Sequence, residues 1–137
     1  MNLEGKQVLI TGGSGGIGYA IAEAMLAKGA NVAITGRREG VLREAAERLR
    51  QKGRAEYVAA DVSTEGGRKA TLACALEKLG GLDVLVDNTG GVRAGRIEDA
   101  TETEIRTMIE VDLVAPMLLT RAALPALRAS ANGLVST

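Results

Sequence analysis

A glycine-rich run near the start of the chain has the composition and spacing of a phosphate-binding loop. The run covers residues 11–18 and contains Gly12, Gly13, Gly15, Gly16 and Gly18. Glycines let a backbone turn tightly and bring its N–H groups against a pyrophosphate. Two spacings overlap here, G-x-G-x-x-G from Gly13 and T-G-x-x-x-G-x-G from Thr11, and the sequence leaves both open. A dinucleotide site is favoured because a predicted strand precedes the run and a helix follows it, and a glycine turn without a ligand is the alternative.

Two arginines occupy the position at which a dinucleotide-binding site distinguishes NAD(H) from NADP(H). A site for NAD usually has an acid about 20 residues after the glycines, which bonds the ribose 2′-hydroxyl. This chain has the segment Thr35-Gly36-Arg37-Arg38 instead. Two guanidinium groups suit a 2′-phosphate, which favours NADP(H) over NAD(H). A solvated basic turn is the alternative.

The composition excludes several other kinds of site. The chain has no His and only Cys74, which removes His-dependent catalysis, an internal disulfide and any plausible transition-metal cluster, so we predict no metal site. Its 17 basic and 17 acidic residues balance, and Tyr19 and Tyr57 are its only aromatic residues, which argues against nucleic-acid binding. No run is apolar enough to span a membrane and no secretory signal is present, so we expect a cytoplasmic protein without a membrane partner.

Alternating strand and helix patterns must position these residues. Apolar runs predict strands at 7–10, 31–35, 56–60, 82–86 and 134–136. Helical spacing lies between them, including a helix over about 64–79 and a longer region over about 101–129, broken or bent near Pro116 and Pro125. This alternation predicts one α/β domain over residues 1–137, with a doubly wound parallel sheet in the order 3-2-1-4-5. The ligand should then lie beyond the carboxyl ends of strands 1 and 4.

These motifs together resemble the classical short-chain dehydrogenases/reductases over the whole chain, most closely the 3-oxoacyl-carrier-protein reductase type. Besides the glycine loop, the resemblance rests on Asp61-Val62, on Asp87-Asn88-Thr89-Gly90 and on the segment 121–125, which reads RAALP. It implies a Rossmann fold and an oxidoreductase that moves a hydride between NADPH and a carbonyl or alcohol substrate.

The resemblance also implies roles for individual residues in cofactor binding. The diphosphate would lie against Gly12, Ser14, Gly15, Gly16, Ile17 and Gly18. Arg37 and Arg38 would hold the 2′-phosphate. Asp61 and Val62 would flank the adenine, and Asn88 and Gly90 would shape the wall beneath the nicotinamide ribose. For Asp61, Asn88 and Gly90, ordinary turn chemistry without a ligand is the alternative.

Three departures from the family pattern concern the chemistry. Asp87 and Thr89 stand in a motif that is usually Asn-Asn-Ala-Gly. Asp112 stands at the helical Asn that supports the family's proton relay, and its role is doubtful because a carboxylate has no amide donor. The family's Ser after strand 5 and its Tyr-x-x-x-Lys pair do not occur in these 137 residues. We therefore expect no catalytic residue within the chain, a fold truncated after strand 5 and no turnover by this chain alone.

Two hypotheses follow from these observations. The first is that the chain is the cofactor-binding part of an NADP(H)-dependent oxidoreductase. The alternative is a non-catalytic module for nucleotide binding or oligomerisation. In either case a last strand of three or four residues leaves N–H and C=O groups unpaired, and the helical region from Ile105 to Leu127 lacks part of its apolar cover. We therefore expect a homo-oligomer or a marginally stable chain.

Overall fold

The computed structural model describes residues 1–91 and 94–137, and within them the strands form one parallel sheet. The strands are β1 (Gln7–Thr11), β2 (Asn31–Gly36), β3 (Ala55–Ala59), β4 (Val84–Val86) and β5 (Leu134–Ser136). Their order is β3-β2-β1-β4-β5, and every neighbouring pair is parallel. The predicted α/β fold and strand order are confirmed.

Helices cover both faces of this sheet. They are α1 (Gly16–Ala27), α2 (Glu39–Leu49), α3 (Glu65–Leu79), α4 (Glu102–Ile109) and α5 (Ala115–Ala129). Successive strand residues point to opposite faces, so Val8 and Ile10 join the core under α1 and α2, whereas Leu9 joins the core under α3 and α5. Burial of both faces explains why the strands read as continuous apolar runs. Within the described part of the chain, no helix has the length and apolar character needed to cross a membrane.

The start of β4 differs from the prediction. The apolar pattern predicts a strand from Leu82, but the strand begins at Val84. There the Asp83 side chain replaces a backbone carbonyl as the hydrogen-bond acceptor, because its Oδ2 accepts the backbone N–H of Gln7 at 2.7 Å. Its Oδ1 accepts the Ser130 hydroxyl at 2.5 Å. Leu82 is buried without being paired in the sheet, which is why hydrophobicity alone placed it in the strand. Strand β3 also begins and ends one residue earlier than predicted.

The long helical region is interrupted before one of its two prolines. A π-helical segment, Glu110–Val114, joins α4 to α5, and Pro116 follows in the first turn of α5. Pro116 has no N–H for the carbonyl of Asp112, and its ring crowds that carbonyl, so the α-helical pattern fails at this point. At Pro125 the helix is not broken, because α5 continues through it to Ala129.

Candidate functional site

The glycine loop is fixed by backbone geometry and by close packing. Gly12 and Gly16 have φ values of 63° and 55°, in the left-handed region that favours glycine. A Cβ atom on Gly18 would lie 2.3 Å from the carbonyl oxygen of Gly12, and one on Gly13 would lie 2.5 Å from the Ile34 side chain. Gly15 meets neither constraint, since a Cβ there would point into open space. Folding therefore requires every glycine of the spacing that starts at Thr11, but not Gly15 of the other.

The N-terminus of α1 is open towards this loop. Gly15 is the N-cap and provides no side chain, and the first turn contains no acidic residue. The first N–H groups of a helix have no partner within it and carry partial positive charge, so they attract an anion. Gly15, Gly16 and Ile17 are exposed around this end, with Ile17 standing in solvent. The exposed N-terminus of α1 can therefore accept a phosphate group that approaches from solvent.

Hydrogen bonds join the glycine loop to the end of β4. The Thr11 hydroxyl oxygen accepts the backbone N–H groups of Asn88 and Thr89, both at 2.9 Å. The Asn88 side chain donates from Nδ2 to the carbonyl oxygen of Gly12 at 3.2 Å. We refer to residues 88–91 as the wall segment. Sequence reasoning missed the role of Thr11, although a polar residue ending a buried strand directly before the glycines was a usable signal.

A cleft of about 360 Å³ lies between the wall segment and the carboxyl ends of β1, β2 and β3. Most predicted cofactor residues line it, namely Gly12, Ser14, Arg37, Arg38, Asp61, Val62 and Gly90. The cleft also has lining residues to which the sequence analysis gave no role: Thr35, Gly36 and Thr89 within the quoted motifs, and Ala60, Ser63, Gly91, Thr107, Val111 and Ala115 outside them. The other predicted residues lie around it, since Gly18 and Asn88 support the loop and residues 15–17 form the exposed end of α1.

The far end of the cleft carries charges of both signs. Arg37 and Arg38 are exposed after β2. Asp61 accepts both the hydroxyl and the backbone N–H of Ser63, at 2.7 and 3.0 Å. These two hydrogen bonds, with a smaller contribution from the Arg37 charge, hold the pKa of the Asp61 carboxyl below its usual value against the effect of burial. Asp61 therefore caps the turn before α3 while it also lines the cleft. Val62 is largely buried in the core under α3 and α5.

A second cavity of about 600 Å³ adjoins the cleft beside α5, with Thr89 lining both. Asp112 lines this cavity, and its Oδ1 accepts the backbone N–H of Gly91 at 2.8 Å. An ionised carboxylate is an acceptor and has no hydrogen to donate. At this position Asp112 therefore holds the wall segment by accepting the Gly91 N–H. Asp87 lines the same cavity and is only 8% exposed. Its Oδ2 accepts the Thr120 hydroxyl at 2.9 Å, and burial raises its pKa to about 6.

The chain is similar to known dehydrogenases in both sequence and structure. The family model described as "short chain dehydrogenase" matches residues 6–136. The chain is 36% identical to a trans-4-hydroxycyclohexanecarboxylate dehydrogenase of Sinomonas cyclohexanicum, over 96% of this chain and 53% of that protein. A putative short-chain alcohol dehydrogenase from Sinorhizobium meliloti superimposes with a TM-score of 0.91 at 32% identity, covering 98% of this chain and 54% of that one.

L-Sorbose reductase from Gluconobacter frateurii, solved in complex with NADPH and L-sorbose, is similar to the same extent. Its TM-score is 0.91 at 34% identity, and the match covers 98% of this chain and 53% of that one. The chain thus spans about half the length of the proteins it matches.

Proposed function

Because the chain belongs to the short-chain dehydrogenase family, we propose that it is the cofactor-binding part of an oxidoreductase and that its cleft takes NADP(H). One observation carries the proposal: the same cleft has the phosphate-binding geometry of the glycine loop at one end and Arg37 and Arg38 at the other. The related L-sorbose reductase was solved with NADPH, which supports the same cofactor here.

The residues of this cleft fit such a cofactor. The open N-terminus of α1 would attract the diphosphate, and Gly15 leaves free space in front of it. Two exposed guanidinium groups would meet the 2′-phosphate. The positions we assign are Gly12, Ser14, Gly15, Gly16, Ile17 and Gly18 for the diphosphate, Arg37 and Arg38 for the 2′-phosphate, Asp61 and Val62 for the adenine, and Asn88 and Gly90 for the ribose wall. When bound, NADP(H) would supply the hydride chemistry, while the protein provides placement and electrostatics.

For the whole protein we propose hydride transfer between NADPH and a carbonyl or alcohol substrate. This rests on the family, because the Tyr-x-x-x-Lys pair is absent from these 137 residues. The part of the work that this chain performs is to bind the cofactor and to hold its wall segment through Thr11, Asn88 and Asp112. We expect cofactor binding without turnover from this chain alone, and a cytoplasmic location.

The decisive experiment is a pair of cofactor titrations. We expect the double variant Arg37→Ala, Arg38→Ala to weaken NADPH binding by about tenfold or more, since hydrogen bonds to charged groups contribute roughly 1.5–3 kcal/mol. NADH, which lacks the 2′-phosphate, should change less than about twofold. Isothermal titration calorimetry measures both. Arg43→Ala, an exposed arginine on α2 that does not line the cleft, is the matched control. Equal losses for the two cofactors would show that the basic turn is only a solvated surface.

We further propose that the chain associates with a second copy through α4 and α5. Three exposed apolar side chains lie along this region: Ile109 at the end of α4, Leu113 in the π-helical segment and Met117 in α5, which are 51%, 55% and 64% exposed. Acidic residues flank its first part, including Glu110, and Arg121 follows its last part. Antiparallel packing of two such regions about a two-fold axis would place these opposite charges near each other.

A further inference from the structure

Asp87 lies where three elements of the fold meet. Its backbone N–H donates to the carbonyl oxygen of Ser136 at 2.8 Å, which extends the pairing of β4 with β5. Its carboxyl Oδ2 accepts the Thr120 hydroxyl at 2.9 Å, which ties the same residue to α5. Asp87 therefore links α5 to the two strands at the carboxyl end of the sheet.

The wall segment begins at the next residue. The N–H groups of Asn88 and Thr89 both reach the Thr11 hydroxyl, and the Asn88 side chain reaches the Gly12 carbonyl. A displacement at Asp87 therefore passes directly along the backbone to the groups that hold the glycine loop.

The surroundings of this carboxyl group favour its neutral form. Leu113, Pro116, Met117, Leu124 and Val135 give the adjoining cavity apolar lining. The ionisable groups that face the cavity are Asp112 of the π-helical segment and Arg121 of α5. The residue after β5, Thr137, contributes a hydroxyl to the cavity, and β1 ends at the hydroxyl of Thr11. Among the described residues, no cation forms an ion pair with Asp87. Burial without a cationic partner penalises a charged carboxylate.

We propose that Asp87 is a proton-responsive positioning residue, whose buried carboxyl group sets how firmly β4 and β5 are tied to α5 at the base of the cofactor cleft. In the neutral form, the carboxyl group is compatible with the apolar cavity and the wall segment is held firmly. In the ionised form, it keeps the Thr120 hydroxyl as a donor but requires further solvation, and the water that enters the apolar cavity loosens the packing of β4 and β5 against α5. The raised pKa, about 6, places this change in the mildly acidic range. The part of the proposal that concerns the cleft rests on the proposed function.

The sign of the effect follows from the direction of the shift. A carboxyl group whose pKa is higher in the folded than in the unfolded chain contributes its stability fully below the unfolded value, which is 3.8. That contribution is lost as the pH rises towards about 6 and does not change further above it. Asp87→Asn keeps the size of the side chain and an acceptor for Thr120 but cannot ionise, so it should not show this loss.

The first test needs no cofactor. Thermal unfolding midpoints are measured for the wild-type chain and for Asp87→Asn from pH 4 to pH 7.5. We expect the wild-type midpoint to fall relative to the variant by on the order of 5 to 10 °C. Amide exchange of Asn88 and Thr89, corrected for intrinsic rates, should accelerate over the same range in the wild type alone. Parallel melting curves and parallel exchange in the two proteins would overturn the proposal.

A second pair of variants keeps the test decisive if Asp87→Asn does not fold. Thr120→Val removes the hydroxyl that favours the charged carboxylate, so the pH transition of the melting midpoint should move to higher pH. Thr120→Ser keeps the hydroxyl and should restore the wild-type transition. An unchanged transition in Thr120→Val contradicts the role given to this contact.

NADPH binding then separates this inference from the proposed function. The ratio of the dissociation constants of wild type and Asp87→Asn should change about two- to fivefold between pH 5 and pH 7.5. Using the ratio cancels the titration of the 2′-phosphate, whose own pKa is about 6. If neither protein binds NADPH but their melting curves diverge, the proposed function fails and the role of Asp87 stands. If both bind NADPH and their melting curves are parallel, the role of Asp87 fails alone.

Discussion

The two outer strands of the sheet differ in length and in cover. Strand β3 has five residues, packs against both α2 and α3, and accepts the buried Thr35 hydroxyl at the Val58 carbonyl at 2.8 Å. Strand β5 has three residues, and its Leu134 is 47% exposed. Val135 of β5 packs against the core under α3 and α5, and no described residue of β5 joins the core under α1 and α2.

This difference separates the parts of the chain that supply stability from those that offer surface. A parallel strand is normally covered on both faces, and β3 meets that condition. The region of α4, α5 and β5 instead presents its apolar side chains to solvent, at Leu113, Met117 and Leu134. We therefore expect substitutions on the β3 side to change the free energy of unfolding, and substitutions on the β5 side to change association.

The largest expected effect is on the side of the sheet formed by β2 and β3. Ile34 lies in β2, is paired with Tyr57 of β3 and has no exposed surface, so Ile34→Ala should lower the free energy of unfolding by about 2–5 kcal/mol. Leu134 of β5 is already about half exposed, so Leu134→Ala should cost less than about 1 kcal/mol. Urea denaturation followed by circular dichroism measures both. Similar costs for the two variants would contradict the distinction between the two sides of the sheet.

A smaller effect is expected in the glycine loop, where two glycines provide matched variants. Gly18→Ala would place a Cβ atom 2.3 Å from the Gly12 carbonyl and 2.5 Å from Asn88 Nδ2, so it should cost about 1–3 kcal/mol of stability and weaken NADPH binding. Gly15→Ala meets open space at a φ of −165°, and because alanine is a poorer N-cap than glycine it should cost less than about 1 kcal/mol. Chemical denaturation and cofactor titration give the comparison. Equal destabilisation would mean that packing at Gly18 is not what fixes the loop.

The smallest expected change in stability accompanies a change in association. Replacing both Leu113 and Met117 by Gln should weaken self-association about tenfold or more, because burial of each apolar side chain contributes roughly 1.5–3 kcal/mol. The free energy of unfolding of the monomer should hardly change. Sedimentation velocity over a concentration series measures the effect. Val41→Gln, at an exposed apolar position on α2, is the control and should leave association unaltered.

The sequence predicts those features that local pattern determines. The elements and the residues at the strand ends follow from apolar periodicity and from the glycines, and the strand order follows from the alternation of strands and helices, which is why Gly12, Arg37 and Asp61 are found on one cleft. Contacts between distant segments could not be predicted in this way. The hydroxyl of Thr11 accepts a hydrogen bond from Asn88, and the carboxylate of Asp112 accepts one from Gly91. Neither partner could be identified from the sequence of one segment alone.

The boundaries that differed from prediction have the same origin. The first residue of β4 is decided by the Asp83 carboxylate, which bonds Gln7 across the sheet and Ser130 after α5. Apolar periodicity does not register such a side-chain bond. The interruption of the helix before Pro116, but not at Pro125, has no counterpart in the sequence pattern either, since each proline removes one backbone N–H from the helix.

Strand β4 therefore has a carboxyl group at each end, and the two respond to acid in opposite senses. Burial tends to raise the pKa of Asp83, but hydrogen bonds from Ser130 and from the Gln7 N–H outweigh it and leave that pKa lowered. Its contribution to stability is lost as the pH falls through its folded pKa, whereas the contribution of Asp87 is lost as the pH rises towards about 6. We therefore expect the hydrogen bonds at the two ends of β4 to be favoured together only in acidic solution, with the contribution of Asp83 lost below that range and the contribution of Asp87 lost above it.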